Sequence, residues 1–372
     1  MIYFDSAASY PVLPVVVEAL RDAFIDSYGN SMALHRIGAR AFEEVELVRV
    51  QLADAIGAFK SEIVFTSGAT ESNNLALKGL LLKPGFDTSK KHIVTSAVEH
   101  KCIHSICAFM ETQGFDVTLV KPDSDGFISA SSINEALRED TCLVSVMHAN
   151  NETGVINDIA NIGELCVNRK ILFHIAAAQT FCKLPIDVDD LNADVMSFSA
   201  HKIGGPKGVG AIYIRDLRKI NLTPVIHGAG QEEGVRGGTV PSPLIIGFGA
   251  AIAEFPKVYG QLKEAQLKEI LISILNESNI EFSINGNINN SLPNIVSITF
   301  PTIDLSVFIR KTENSFCLAQ GSACSSTEIE PSHVLTSIGL NTKMAEKTLR
   351  LSLGHYNDRA DIVALVNALS LM

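Results

Sequence analysis

Over its first two-thirds the chain repeats one pattern, a short apolar run of strand length followed by an amphipathic stretch of helical period. That alternation is the signature of helices covering both faces of a mostly parallel sheet. The apolar runs lie at Glu62 to Thr66, His92 to Ser96, Val117 to Val120, Leu143 to Met147, Ile171 to Ile175, Val195 to Ser199 and Val209 to Ile214, which predicts a seven-stranded sheet. Ahead of them Ala41, Val45, Val48, Leu52 and Ile56 recur at spacings of three and four, giving one helix a stripe to bury.

From about Phe255 the pattern changes to a long charged helix through Leu262 to Leu275, strands near Ile280 to Ile284 and Ile295 to Phe300, then helices ending with Asp358 to Leu371. The expected architecture is α/β, a large domain over 14–255 and a smaller α+β domain made of 1–13 and 256–372. The hinge is expected between Leu244 and Glu269. A chain of 372 residues with 47% hydrophobic side chains supports two packed cores better than one. Its net charge of -11 argues against a broad nucleic-acid footprint, which needs excess Lys and Arg.

The start, M-I-Y-F-D-S-A-A, has no basic region and meets Asp5 early, unlike a secretory signal, and no apolar run has bilayer-spanning length. A cytoplasmic protein is expected, without membrane contact. Seven cysteines without C-x-x-C spacing fit reduced thiols, with no metal site.

In open α/β sheets ligands sit beyond the carboxyl ends of the strands, so residues just after each strand matter most. After Glu62 to Thr66 comes S-G-A-T-E-S-N-N, where Gly68, Ala69 and Thr70 open a helix with bare amides and a hydroxyl, an anion site or an ordinary N-cap turn. Neither a Walker loop nor a strand-borne G-x-G-x-x-G is present. His100 in A-V-E-H-K, Asn151 in H-A-N-N-E-T-G and Gln179 in A-A-A-Q follow three further strands. Each alone could be a satisfied structural group, yet together they fall on one rim.

Lys202, in S-F-S-A-H-K-I-G-G after Val195 to Ser199, could merely turn the chain into solvent. At a rim with anion-binding amides and a histidine, its amine has a sharper use: a Schiff base with an aldehyde, given surroundings that depress its pKa. Pyridoxal phosphate supplies both the aldehyde and the phosphate. Downstream, L-A-Q-G-S-A-C-S-S-T puts Cys324 among Gly, Ser and Ala, a mobile and exposed setting for a reactive thiol. The other six cysteines lie mostly in apolar company and are expected only to fill space. In T-L-R-L-S-L-G, Arg350 offers a fork for an α-carboxylate or a structural salt bridge.

These stretches, in this order, resemble the pyridoxal-phosphate cysteine desulfurases of the class V aminotransferases. The resemblance runs from Y-F-D-S-A-A through T-S-G-A-T-E-S-N-N, V-E-H-K, H-A-N-N-E-T-G-V, S-F-S-A-H-K-I-G-G-P-K-G and R-G-G-T-V-P to G-S-A-C-S-S and R-L-S-L-G. It implies the fold-type I architecture of pyridoxal-phosphate transferases. It makes Lys202 the Schiff-base lysine, and Ala69, Thr70, Ser199 and His201 the phosphate ligands. Thr239 in R-G-G-T would reach the phosphate of the neighbouring subunit's cofactor, hence a homodimer. His100 would stack on the ring and shuttle protons, Gln179 would hold its phenolic oxygen, and Asn151 and Arg350 would hold the substrate carboxylate. Cys324 would take the sulfur of L-cysteine as a persulfide, releasing alanine, for transfer to a protein acceptor in iron-sulfur assembly, tRNA thiolation or DNA phosphorothioation.

One position departs from the pattern. Where the family has an aspartate against the ring nitrogen, H-I-A-A-A-Q has Ala176. A working desulfurase with a weaker electron sink is expected. The alternatives are a selenocysteine lyase or related aminotransferase, and a catalytically weakened sulfur-transfer partner.

Overall fold

The computed structural model describes residues 1–220, 222–320 and 331–372. Its thirteen strands, in chain order, are β1 (Ile2–Tyr3), β2 (Ile63–Thr66), β3 (His92–Ser96), β4 (Asp116–Val120), β5 (Thr141–Met147), β6 (Leu172–Ala176), β7 (Val195–Ser199), β8 (Gly210–Ile214), β9 (Ser283–Asn285), β10 (Ile295–Thr299), β11 (Phe316–Cys317), β12 (Ala319–Gln320) and β13 (Thr348–Ser352). Seven form one sheet in the order β2-β8-β7-β6-β5-β3-β4. All neighbours run parallel except β8, which is antiparallel to both β2 and β7. The seven expected strands are all present, within two residues of their expected ends.

Most of these strands are buried on both faces, which is why they read as apolar runs rather than alternating ones. Successive side chains still go to opposite sides. Ile63 and Phe65 of β2 and Ala211 and Tyr213 of β8 enter one core, and Val64, Ile212 and Ile214 enter the other. The stripe Ala41, Val45, Val48, Leu52 and Ile56 is buried, the first four on the Arg36–Asp54 helix. That helix meets the Ser242–Val258 helix at Gly249, where a Cβ would lie 2.5 Å from Val48 Cγ2. The close approach is why a glycine stands there.

A second sheet, ordered β12-β13-β10-β9 and antiparallel throughout, packs with the helices Gln261–Glu277 and Arg359–Leu369 around a separate core. The break between the two long helices falls at Tyr259 and Gly260, inside the expected hinge interval. β1 pairs in parallel with β11, and Phe4 stacks on Phe316 in this second core. Tyr10, six residues on, is buried in the core of the large sheet. The stretch between is therefore stretched across the gap between the two sheets, and it forms one wall of the cavity described next. Among the described residues no helix is long and apolar enough to cross a membrane.

Candidate active site

The carboxyl ends of β2, β3, β5, β6 and β7 open on one cavity of about 820 Å³. Of the expected site residues, Ala69, Thr70, His100, Asn151, Ala176, Gln179, Ser199, His201, Lys202 and Arg350 all line it. Thr239 is exposed and does not line its own chain's cavity. Cys324 lies outside the described residues.

Lys202 ends the short 3-10 turn that follows β7. Its Nζ donates to the carbonyls of Ala7 and Ala8 at 2.7 and 2.8 Å. Burial first, and the charge of Arg350 with it, push the amine down to about 8 against the opposing Asp5. A lysine tied only to main-chain carbonyls and titrating near neutrality is chemically available, because its neutral form carries a free lone pair.

Gly68 takes a φ of +148°, and a Cβ on Gly210 would come within 2.6 Å of Gly68 Cα. This crossing of β8 behind the S-G-A-T turn sets the turn against Ser199, whose Oγ would lie 3.5 Å from a Cβ at Gly68. Glu71 holds the turn from the other side: its Oε2 accepts from Ser67 N at 2.8 Å and its Oε1 from Arg236 Nε at 2.8 Å. Burial raises the Glu71 carboxyl, but the Arg236 and Ser67 bonds outweigh it and keep the group below its usual range. Arg236 stands three residues before Thr239, so the R-G-G-T loop and the amide cradle are tied together.

His100 caps the Lys101–Thr112 helix, its Nδ1 accepting from Cys102 N at 3.2 Å. Burial lowers its pKa, with Lys202 adding, so the ring is neutral. Gln179 donates from Nε2 to the Ala7 carbonyl at 2.9 Å. Arg350 sits on β13 and makes two contacts: NH2 meets Asp5 Oδ1 at 2.6 Å, and NH1 donates to the Asn151 carbonyl at 3.0 Å. Its Nε is buried with no hydrogen-bond partner among the described residues. Arg350 lines the cavity, and a guanidinium there suits a carboxylate ligand.

Several groups of the site were not legible beforehand. Asp5 pairs with Arg350 across 345 positions of sequence, and only the threading of the N-terminal stretch between the sheets joins them. Glu99, wholly buried, accepts from Met147 N and Ser96 Oγ, and burial pushes its carboxyl up to about 8. Glu152 lines the cavity, accepts from Ser332 Oγ at 2.5 Å and is pushed up by burial to about 7. Both lay inside stretches singled out in the sequence, V-E-H-K and H-A-N-N-E-T-G. Cys102 departs from the expectation for the six other cysteines: it lines the cavity and its Sγ accepts from Asn73 Nδ2 at 3.2 Å. The helix start at Lys101 turns it inward, a placement that local composition does not reveal.

The residues fit a pyridoxal phosphate in most respects. The Lys202 amine, the helix start at Ala69 and Thr70, His100 and the Arg350 guanidinium all line one space. The exception is Ala176, which ends β6 beside Met147 and Ser197 and brings only a methyl to the cavity.

Comparison with known proteins follows the same line. The family described as aminotransferase class-V matches residues 2–365. Cysteine desulfurase IscS of Pectobacterium atrosepticum is 42% identical over 97% of this chain and 90% of its own length. The same enzyme of Serratia proteamaculans is 41% identical over the same shares. Among solved structures, SspA in complex with cysteine superposes with a TM-score of 0.86 at 44% identity, covering 96% of this chain and all of that one. DndA from Streptomyces lividans gives 0.79 at 36% identity, covering 92% and 97%.

Proposed function

The chain belongs to the class V aminotransferases, and from that premise we propose that it is a cysteine desulfurase, releasing L-alanine from L-cysteine and keeping the sulfur as a persulfide on Cys324. The observation that carries the reading is Lys202: a buried amine at a strand end, lowered to about 8 and held by two carbonyls that can let it go. In this reading pyridoxal 5'-phosphate occupies the cavity. It supplies, when bound, an aldehyde for Lys202 and a sink for electrons released at the substrate's α-carbon.

The chain's own residues do the rest. Ala69, Thr70, Ser199 and His201 hold the phosphate, and Thr239 of a second copy completes that site, so the working unit is a homodimer. His100 lies on the ring and Gln179 donates to the phenolic oxygen. Arg350 and Asn151 bind the substrate carboxylate, which competes with Asp5 for the guanidinium. Lys202 would be the base at the α-carbon, and its depressed pKa makes the neutral amine common near pH 8. Cys324 attacks the substrate sulfur, and the persulfide goes on to a protein acceptor. The unit holding the cofactor is 14–255, and 1–13 with 256–372 forms the smaller one; two separate cores support the division, with Tyr10, Leu13, Tyr259 and Val334 of the smaller unit packing into the larger core.

The direct test is to supply the protein with pyridoxal phosphate, L-cysteine and dithiothreitol and measure alanine and sulfide. Equal amounts of both are expected, and an absence of alanine overturns the reading.

Two further outcomes follow from the site. Only the neutral Lys202 amine can capture an aldehyde, so the rate of coloured-adduct formation should rise about tenfold per pH unit below pH 8 and level off above it. A rate flat from pH 6 to about 9 would contradict the lowered pKa. Restoring an acid with Ala176→Asp adds a charge-assisted hydrogen bond of about 1.5 to 3 kcal/mol at the ring nitrogen. It should shift the cofactor's absorbance and change alanine production by about ten- to a hundredfold. An unchanged spectrum and rate would show that nothing is missing there.

A further inference from the structure

Behind the cavity wall lies a second buried lysine that the reaction above does not use. Lys183 is 2% exposed, and its Nζ donates to Gln179 Oε1 at 3.5 Å. The other end of that amide, Nε2, donates to the Ala7 carbonyl, which also accepts from Lys202 Nζ. On the far side is Glu264, in the first turn of the Gln261–Glu277 helix of the smaller core. Glu264 is fully buried, its oxygens have no hydrogen-bond partner among the described residues, and its charge acts on Lys183 to favour the ammonium. Burial is the larger influence and lowers the Lys183 amine to about 7, with the charge of Lys202 adding and Cys182 and Glu264 opposing. A buried hydrogen-bonded path thus runs from Lys183 through Gln179 to the carbonyl that holds Lys202.

An amide side chain can face either way, since its oxygen and nitrogen ends have nearly the same shape. Below about pH 7 Lys183 is an ammonium with donors only and demands the oxygen end, while the Ala7 carbonyl demands the nitrogen end at every pH. With both satisfied, Gln179 has one N–H spent on Ala7 and a second left for the cavity. We propose that Lys183 is the positioning residue that fixes the Gln179 amide with its N–H edge toward the cavity, so that it donates to an anionic oxygen of the ligand and cannot present its carbonyl there. The charge of Glu264 opposes the loss of the Lys183 proton from the side of the smaller core. The inference rests on the reading that the ligand is pyridoxal phosphate, whose phenolic oxygen is that acceptor.

The test is a pH titration of the absorbance of the protein carrying pyridoxal phosphate, which needs no turnover. A donor to the phenolate favours the deprotonated chromophore, so losing it raises the titration midpoint. Lys183→Met should raise it by about one pH unit. Lys183→Gln removes the same charge but keeps an N–H for the amide oxygen, and should restore most of the shift. In a Gln179→Leu background Lys183→Met should add little. Equal shifts for the Met and Gln variants, or full additivity with Gln179→Leu, would overturn the proposal, because Lys183 would then act by charge alone. Lys183→Ala, which leaves room for water, replaces the Met variant if that one does not fold. A wild-type protein that forms no coloured adduct overturns the cofactor reading and this inference together. An adduct with identical midpoints in all variants overturns only this one.

Discussion

The Lys202→Ala protein should stay colourless when pyridoxal phosphate is added, retain nothing after borohydride, and make alanine from cysteine about 10²- to 10⁴-fold more slowly, the range a positioned base contributes. The substitution removes both the attachment point and the base, so added amines such as methylamine should rescue only a small part. It should not unfold the protein. The amine sits in a site that disfavours its charged form, and its loss leaves the Ala7 carbonyl still bonded to Gln179. The linkage gives a second, independent readout. The Lys202 pKa falls from 10.5 to about 8 on folding, so between those values the unfolded chain binds a proton that the folded one has released. The stability of the wild type therefore gains a rising contribution with pH across that window, and Lys202→Ala should lack it. Denaturant midpoints at pH 7.5 and about 10 for the two proteins would show the difference. Wild-type alanine production by the Ala variant would remove the basis of the functional reading.

The second large effect is expected at Cys324. Cys324→Ser should keep the colour and the cofactor titration of the wild type, because no residue assigned to cofactor binding is changed. It should lose the persulfide altogether and cut alanine formation by about a thousandfold or more, the scale seen when a covalent nucleophile is removed. A serine hydroxyl does not ionise near neutrality, whereas a thiol does so in appreciable part. Mass spectrometry of the protein after exposure to cysteine checks the persulfide directly. Full alanine release by the Ser variant would favour the selenocysteine lyase or aminotransferase alternative, in which no enzyme thiol takes the sulfur. No alanine from the wild type under any acceptor would favour the weakened sulfur-transfer partner.

Much of this site is written in local sequence. Lys202, His100, Asn151 and Gln179 each stand a few residues beyond an apolar run, and strand ends in a parallel sheet converge on one edge. Their grouping in one cavity follows from the alternation of strands and helices that the sequence displays. The partners that tune them are a different matter. Asp5 and Arg350, Lys183 and Glu264, and Glu71 and Arg236 are joined across long stretches of chain. No periodicity links one member of such a pair to the other. Cys102 is a related case, since its neighbours in sequence suggest an apolar filler and the helix cap at His100 turns it to the cavity instead.

The amino-acid order alone determined the class of fold, the edge of the sheet where ligands gather, and the lysine, thiol and alanine that define the chemistry. Those are properties of residue type and short-range spacing, which a chain carries before it folds. The tertiary structure alone decided which amines are pushed down, which carboxyls are pushed up and which way an amide faces. Those depend on desolvation and on charges a few ångströms away, and the distances exist only once the N-terminal stretch lies between the two cores.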